Sequence, residues 1–206
     1  MTEANDKPRK LLETAGEVEE YLYADPELTE ERFWSELFID SMRDPEVFRS
    51  SYGIIRKRAE EGDAPSCRFA AMKEAEFSEA LYPVSHVCAR PGLHDPLSGE
   101  MRDWLCRREY ILRLDRIAVE KAGDPDDKFE YLSDLGQCVM CLARMLSCRQ
   151  ESRYDELRDG LKRLLGEYEE GRARYLGDIT PQSRGIIENL DGQLRAALDG
   201  KSPGEV

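Results

Sequence analysis

Residues 124–148 read DPDDKFEYLSDLGQCVMCLARMLSC, and this stretch decides the fold. Asp124-Pro125 is a helix start. An aspartate there can accept from free backbone N–H groups of the first turn, and proline suits the first helical position. Asp126 and Asp127 then set carboxylates at the positive end of the helix dipole. Leu132, Leu135, Val139, Leu142 and Leu146 recur at threes and fours, and Tyr131, Cys138, Cys141, Met145 and Cys148 form a second stripe beside them. Together the stripes cover more of the circumference than a surface helix buries. The spacing predicts a buried central helix over residues 125–148. At ~1.5 Å per residue, ~24 residues give a length of about 36 Å.

Working outward, Gly123 leaves only a very short turn before this helix. The preceding segment, about 99–121, carries Met101, Trp104, Leu105, Ile111, Leu112, Ile117 and Ala118 at helical spacing, with Glu109 and Arg113 as a favourable i,i+4 pair. A short turn makes the two helices antiparallel neighbours. After the central helix, residues 151–176 hold Tyr154, Leu157, Leu161, Leu164, Leu165 and Tyr168. Gly160, Gly166 and Gly171 interrupt that segment. Each glycine costs up to ~1 kcal/mol in a helix interior, which predicts a kink or two shorter pieces. Thr180-Pro181 opens a last helix with Ile186, Ile187, Leu190, Leu194 and Leu198.

Toward the N-terminus, helical faces occur over 8–23 and 29–42, the latter with Phe33, Trp34, Leu37, Phe38 and Met42. Asp44-Pro45 starts another helix that Gly62 stops, and 65–81 carries Phe69, Met72, Phe77 and Leu81 up to Pro83. Residues 83–98 hold three prolines and Gly92 and lack helical periodicity, so they read as the longest irregular segment, a loop for contact or metal. No segment of useful length alternates apolar and polar residues. The fold class expected is all-α: a single-domain irregular bundle of about eight helices around the buried 125–148 helix. The domain spans 1–206, with 199–206 as a frayed tail.

The 206 residues are 40% hydrophobic and 35% charged, too apolar for a disordered chain. Forty-three acidic against thirty basic residues leave a net charge of −13, spread along the chain. That balance argues against nucleic-acid or anionic-membrane binding and favours a basic protein partner, if the acid does more than maintain solubility. The N-terminal MTEANDKPRK has no apolar signal-peptide core, and no apolar run approaches the ~18 residues of a membrane span. A cytoplasmic protein is expected, and its six cysteines are then thiols rather than disulfides.

Cysteine and histidine carry the only candidate chemistry. His86, Cys88 and His94 lie in the 83–98 stretch, and Cys138 and Cys141 lie on the central helix. His86, Cys88, Cys138 and Cys141 make up a zinc ligand set in kind and number. Cysteines at i and i+3 among Met140, Leu142 and Met145 are equally small core residues. A zinc deaminase needs H-x-E and a proline before C-x-x-C. Cys88 and Gln137 occupy those places. HExxH, the P-loop, G-x-G-x-x-G and G-x-S-x-G are all absent. Trp34 and Trp104 belong to the core unless exposed, in which case either anchors a partner, and His86 and His94 are the other contact candidates.

The reading that follows is a non-enzymatic intracellular interaction protein: a helical subunit of an assembly, an adaptor or an inhibitor. It needs no cofactor, and self-association is compatible with it. The alternative is a zinc-binding or thiol-redox-sensing helical protein built on residues 86–94 and the Cys138/Cys141 pair.

Overall fold

A computed structural model describes residues 45–121 and 123–200. The expected helices over 8–23 and 29–42, Trp34 and the tail beyond Gly200 lie outside the described residues. Among the described residues the fold is all-α, with seven α-helices and no strand. They are α1 (Pro45–Glu60), α2 (Ala64–Leu81), α3 (Val84–Ala89), α4 (Gly99–Lys121), α5 (Pro125–Ser147), α6 (Asp155–Tyr175) and α7 (Pro181–Leu198). Short 3-10 turns occur at Pro91–Leu93 and Ser152–Tyr154. The chain divides into two compact units, Met1–Ala70 and Ala71–Val206, with the division inside α2.

In the first unit, Gly62 stops α1 at a φ of +84°, a conformation open to glycine without steric cost. Asp63 then caps α2, its carboxylate accepting from the Ser66 backbone N–H at 3.1 Å. Ile55, Ala59, Cys67 and Phe69 are buried, and the Tyr52 and Phe69 rings lie 6.3 Å apart.

In the second unit α5 is the hub. Each extensive helix–helix packing there has α5 as one member, with α3, α4, α6 and α7 as the others. The Asp124 side chain accepts from both Asp126 and Asp127 backbone N–H groups at 2.9 Å, as the Asp-Pro start implies. Every residue from Met140 to Leu146 is buried, including Arg144, so the last turns of α5 are enclosed on all sides. Thr180 caps α7 in the same manner, accepting from the Ser183 N–H at 3.2 Å.

Two local expectations need correction. Residues 83–98 are not a bare loop. Pro83 occupies the N-cap of α3, its carbonyl accepts from the His86 and Val87 N–H groups, and Glu79 accepts from the Val84 N–H at 3.0 Å. A proline that ends one helix has opened the next, because its fixed φ suits an N-terminal position. The following turn is held as well: Arg149 donates to the Pro91 carbonyl at 3.1 Å and the Tyr154 hydroxyl to Asp95 at 3.2 Å. The second correction concerns α6, which is one continuous α-helix and not two shorter pieces despite its glycines. Gly171 sits where α6 meets α5: a Cβ there would stand 3.2 Å from Tyr131 and 3.3 Å from Leu132. Packing against the hub outweighs the propensity cost.

Candidate functional site

The short helix α3 is too brief to bury a face alone, and it rests on α5 through Val87 and Cys88. Its other residues, with one edge of α5 and one edge of α7, leave a cleft of about 420 Å³. From α3 come Val84, Ser85, Cys88 and Ala89; from α5, Ser133, Gln137 and Met140; from α7, Ile186, Asn189, Leu190 and Gln193. Each long helix contributes positions three and four apart, as one edge of a helix must. No charged side chain is among them, in a chain that is 35% charged. The lips are amides and hydroxyls already paired along their own helices: Gln137 donates to Ser133 at 3.1 Å and Gln193 to Asn189 at 3.2 Å. Ile186 stands at the mouth, 50% exposed.

Cys88 forms part of the cleft wall, and behind it lies Cys141 of α5. The two Sγ atoms are 3.1 Å apart, and both residues are free, buried thiols. Their acidities are pushed in opposite directions. The hydrogen bond with Cys141 lowers the Cys88 pKa below the usual thiol value; burial and Glu79 oppose it, and the Arg144 and Arg108 charges assist it. The same contact, and then burial, raises Cys141 well above the usual value. Cys138 stands apart from this pair and lines a second cleft, of about 460 Å³, between α4, α5 and α6. Burial pushes its pKa up to about 11. The second cleft has a charged rim that includes Glu109, Arg163 and the Arg116–Glu167 pair at 2.5 Å.

The four residues weighed as a zinc site are therefore not gathered into one. Cys88 and Cys141 meet, but no group of three or more His, Cys, Asp or Glu side chains placed to hold a metal occurs among the described residues. His86 is exposed on α3, its ring 5.3 Å from that of the half-buried His94. Burial, together with the His86 and Arg149 charges, lowers the His94 pKa. Trp104, weighed as a partner anchor, is 3% exposed and belongs to the core, with the Arg108 guanidinium 5.3 Å from its ring centroid. Of the four contact candidates, His86 alone is exposed among the described residues.

Sequence reasoning missed the buried charges of α4. Arg108 is buried at 2% and donates to Asp134 of α5 at 3.0 Å, with Glu79 3.9 Å away. Asp115 is buried at 4%, and its pKa is well above the carboxylate range, first through burial and then through the Asp134, Glu130 and Asp127 charges. The signal was present: Trp104, Arg108, Ile111, Asp115 and Ala118 form one stripe at threes and fours, and two of its five members are charged. No protein-family model, curated protein or solved structure matches this chain.

Proposed function

We propose that this chain is a non-catalytic interaction protein of the cytoplasm, a helical subunit, adaptor or inhibitor that receives an apolar side chain of a basic protein partner in the α3–α5–α7 cleft. The observation that carries the reading is the absence of charge from the lining of that cleft in a chain otherwise 35% charged. Depletion of charge around an apolar centre, with hydrogen-bonding groups at the edge, characterises the core of protein interfaces. Met140 and Leu190 supply apolar wall, and the exposed Ile186 is a large apolar contact that solvent alone does not favour. The basic character of the partner follows from charge complementarity with a net charge of −13, which speeds encounter and suppresses acidic competitors. Six cysteines that form no disulfide support a reducing compartment, and among the described residues no helix is long and apolar enough to cross a membrane.

The test places a photo-crosslinking side chain at position 186 and, as a control, at Lys162, which is 77% exposed on α6. A basic protein captured in the native host from position 186 and not from 162 supports the reading. Its affinity for the purified chain should fall steeply with salt and fall again in the Ile186→Lys variant. Equal capture from both positions, capture of an acidic protein, or capture only of a second copy of this chain overturns it.

A further inference from the structure

We propose that Cys88 and Cys141 form a reversible dithiol–disulfide site for a hydroperoxide, with Cys88 as the attacking sulfur and Cys141 as the resolving one. Four observations meet there. The sulfurs are 3.1 Å apart, so bond formation needs an approach of only about 1 Å toward the ~2.05 Å of a disulfide. The residues lie 53 positions apart on two helices, so the pairing is a product of the fold and not of local sequence. Cys88 borders a cleft of about 420 Å³, wide enough for hydrogen peroxide, whereas Cys141 is 0% exposed behind it. Finally, the contact with Cys141 and the Arg144 and Arg108 charges lower the Cys88 pKa against burial and Glu79, which makes Cys88 the more readily ionised sulfur of the two.

The reaction balances with one hydroperoxide. The Cys88 thiolate attacks one peroxide oxygen, the O–O bond breaks, and Cys88 becomes a sulfenic acid while hydroxide leaves. The Cys141 thiol then attacks the Cys88 sulfur, the S–O bond breaks, and the departing oxygen leaves as water with the Cys141 proton. The hydroxide takes up the proton Cys88 lost on ionising. Two thiols give up two electrons, hydrogen peroxide is reduced to two waters, and a dithiol reductant reverses the change. The proposal does not rest on partner docking, since it needs only the two thiols and a path for a small oxidant.

The experiment uses the full chain carrying Cys106→Ser and Cys148→Ser, which removes the two exposed thiols. It is treated with equimolar hydrogen peroxide, alkylated, digested and read by mass spectrometry. The expected product is a peptide pair joined through Cys88 and Cys141, two hydrogens lighter than the thiols and restored by dithiothreitol. In the further Cys141→Ser variant, Cys88 should accumulate as a dimedone adduct; in Cys88→Ser, Cys141 should gain none. The unsubstituted chain gives an independent reading, because peroxide should protect Cys88 and Cys141 together from later alkylation. Persistent alkylation of both after peroxide, a disulfide through Cys67 or Cys138 instead, or a dimedone adduct on Cys141 overturns the assignment.

Discussion

A Cβ on Gly136 would stand 2.6 Å from Cδ2 of Leu190, so α7 packs onto α5 over a residue with no side chain. The Tyr168 ring, 2.9 Å from the same point, closes the other side, and its hydroxyl donates to Asp191 of α7 at 2.6 Å. Arg172 meets the other Asp191 oxygen at 2.5 Å. The hub, α6 and α7 are thus joined around one glycine.

Gly136→Ala tests that junction. Overpacking costs about 1–3 kcal/mol, and alanine recovers up to ~1 kcal/mol of helix propensity. Leu190 borders the cleft and can yield into it, so the cost should fall at the low end, with a net loss of no more than about 1 kcal/mol in urea unfolding. A more stable variant would show that the close approach is slack.

Arg108→Met leaves the mostly enclosed Asp134, 13% exposed, without its partner. Burial already holds the Asp134 pKa above the usual carboxylate value, with Arg108 pulling it down, so removing Arg108 raises it further. The loss should be about 3 kcal/mol at neutral pH. A carboxylate with a raised folded pKa contributes stability below its unfolded pKa and loses it as pH rises through the folded one. The variant's deficit should therefore deepen as pH rises above the usual carboxylate range. An Arg108→Met, Asp134→Leu double variant should recover much of the loss, and failure to do so would locate the energy in the Trp104 stacking instead.

Asp115→Asn isolates the most buried carboxyl of α4. The folded pKa of Asp115 is raised, so the unfolded chain releases its proton first, near pH ~3.9, while the folded chain still holds one. Stability from this group is complete below that pH and falls as pH rises toward the folded pKa. Asparagine carries no such dependence. The variant should match the parent near pH 4 and exceed it at pH 8 in denaturant melts. A constant difference across that range would mean that Asp115 titrates as it does in the unfolded chain.

Iodoacetamide at pH 8 should modify the exposed Cys106 and Cys148 and leave Cys138 untouched, since burial holds that thiol near 11. Modification of Cys88 should slow as pH falls through its lowered pKa, because only the thiolate reacts. Labelling of Cys138 at the rate of Cys148 would place it on the surface rather than in the second cleft.

Much of the fold was legible in advance because its signals are local. Asp124-Pro125 and Thr180-Pro181 start α5 and α7 where their caps require, and the double stripe of α5 announced a helix buried over more than one face. The α3 helix escaped notice because six residues show no periodicity and Pro83 reads as a terminator. The zinc grouping failed for a different reason. Cys138 and Cys141 share one helix, and spacing says that they are near each other, but it does not say which neighbour each one meets.

The sequence by itself determined the longer described helices, most of their ends and the choice of α5 as the hub, since capping, glycine φ and 3.6-residue periodicity act within a few residues. Only the tertiary structure decided that Cys88 faces Cys141 at 3.1 Å, that Arg108 and Asp115 lie inside, and that an uncharged cleft opens between α3, α5 and α7. Those facts depend on the rotation and crossing of each helix against the hub. That geometry is set by the shapes of many side chains at once, such as the missing one at Gly136, and not by the pattern along any single helix.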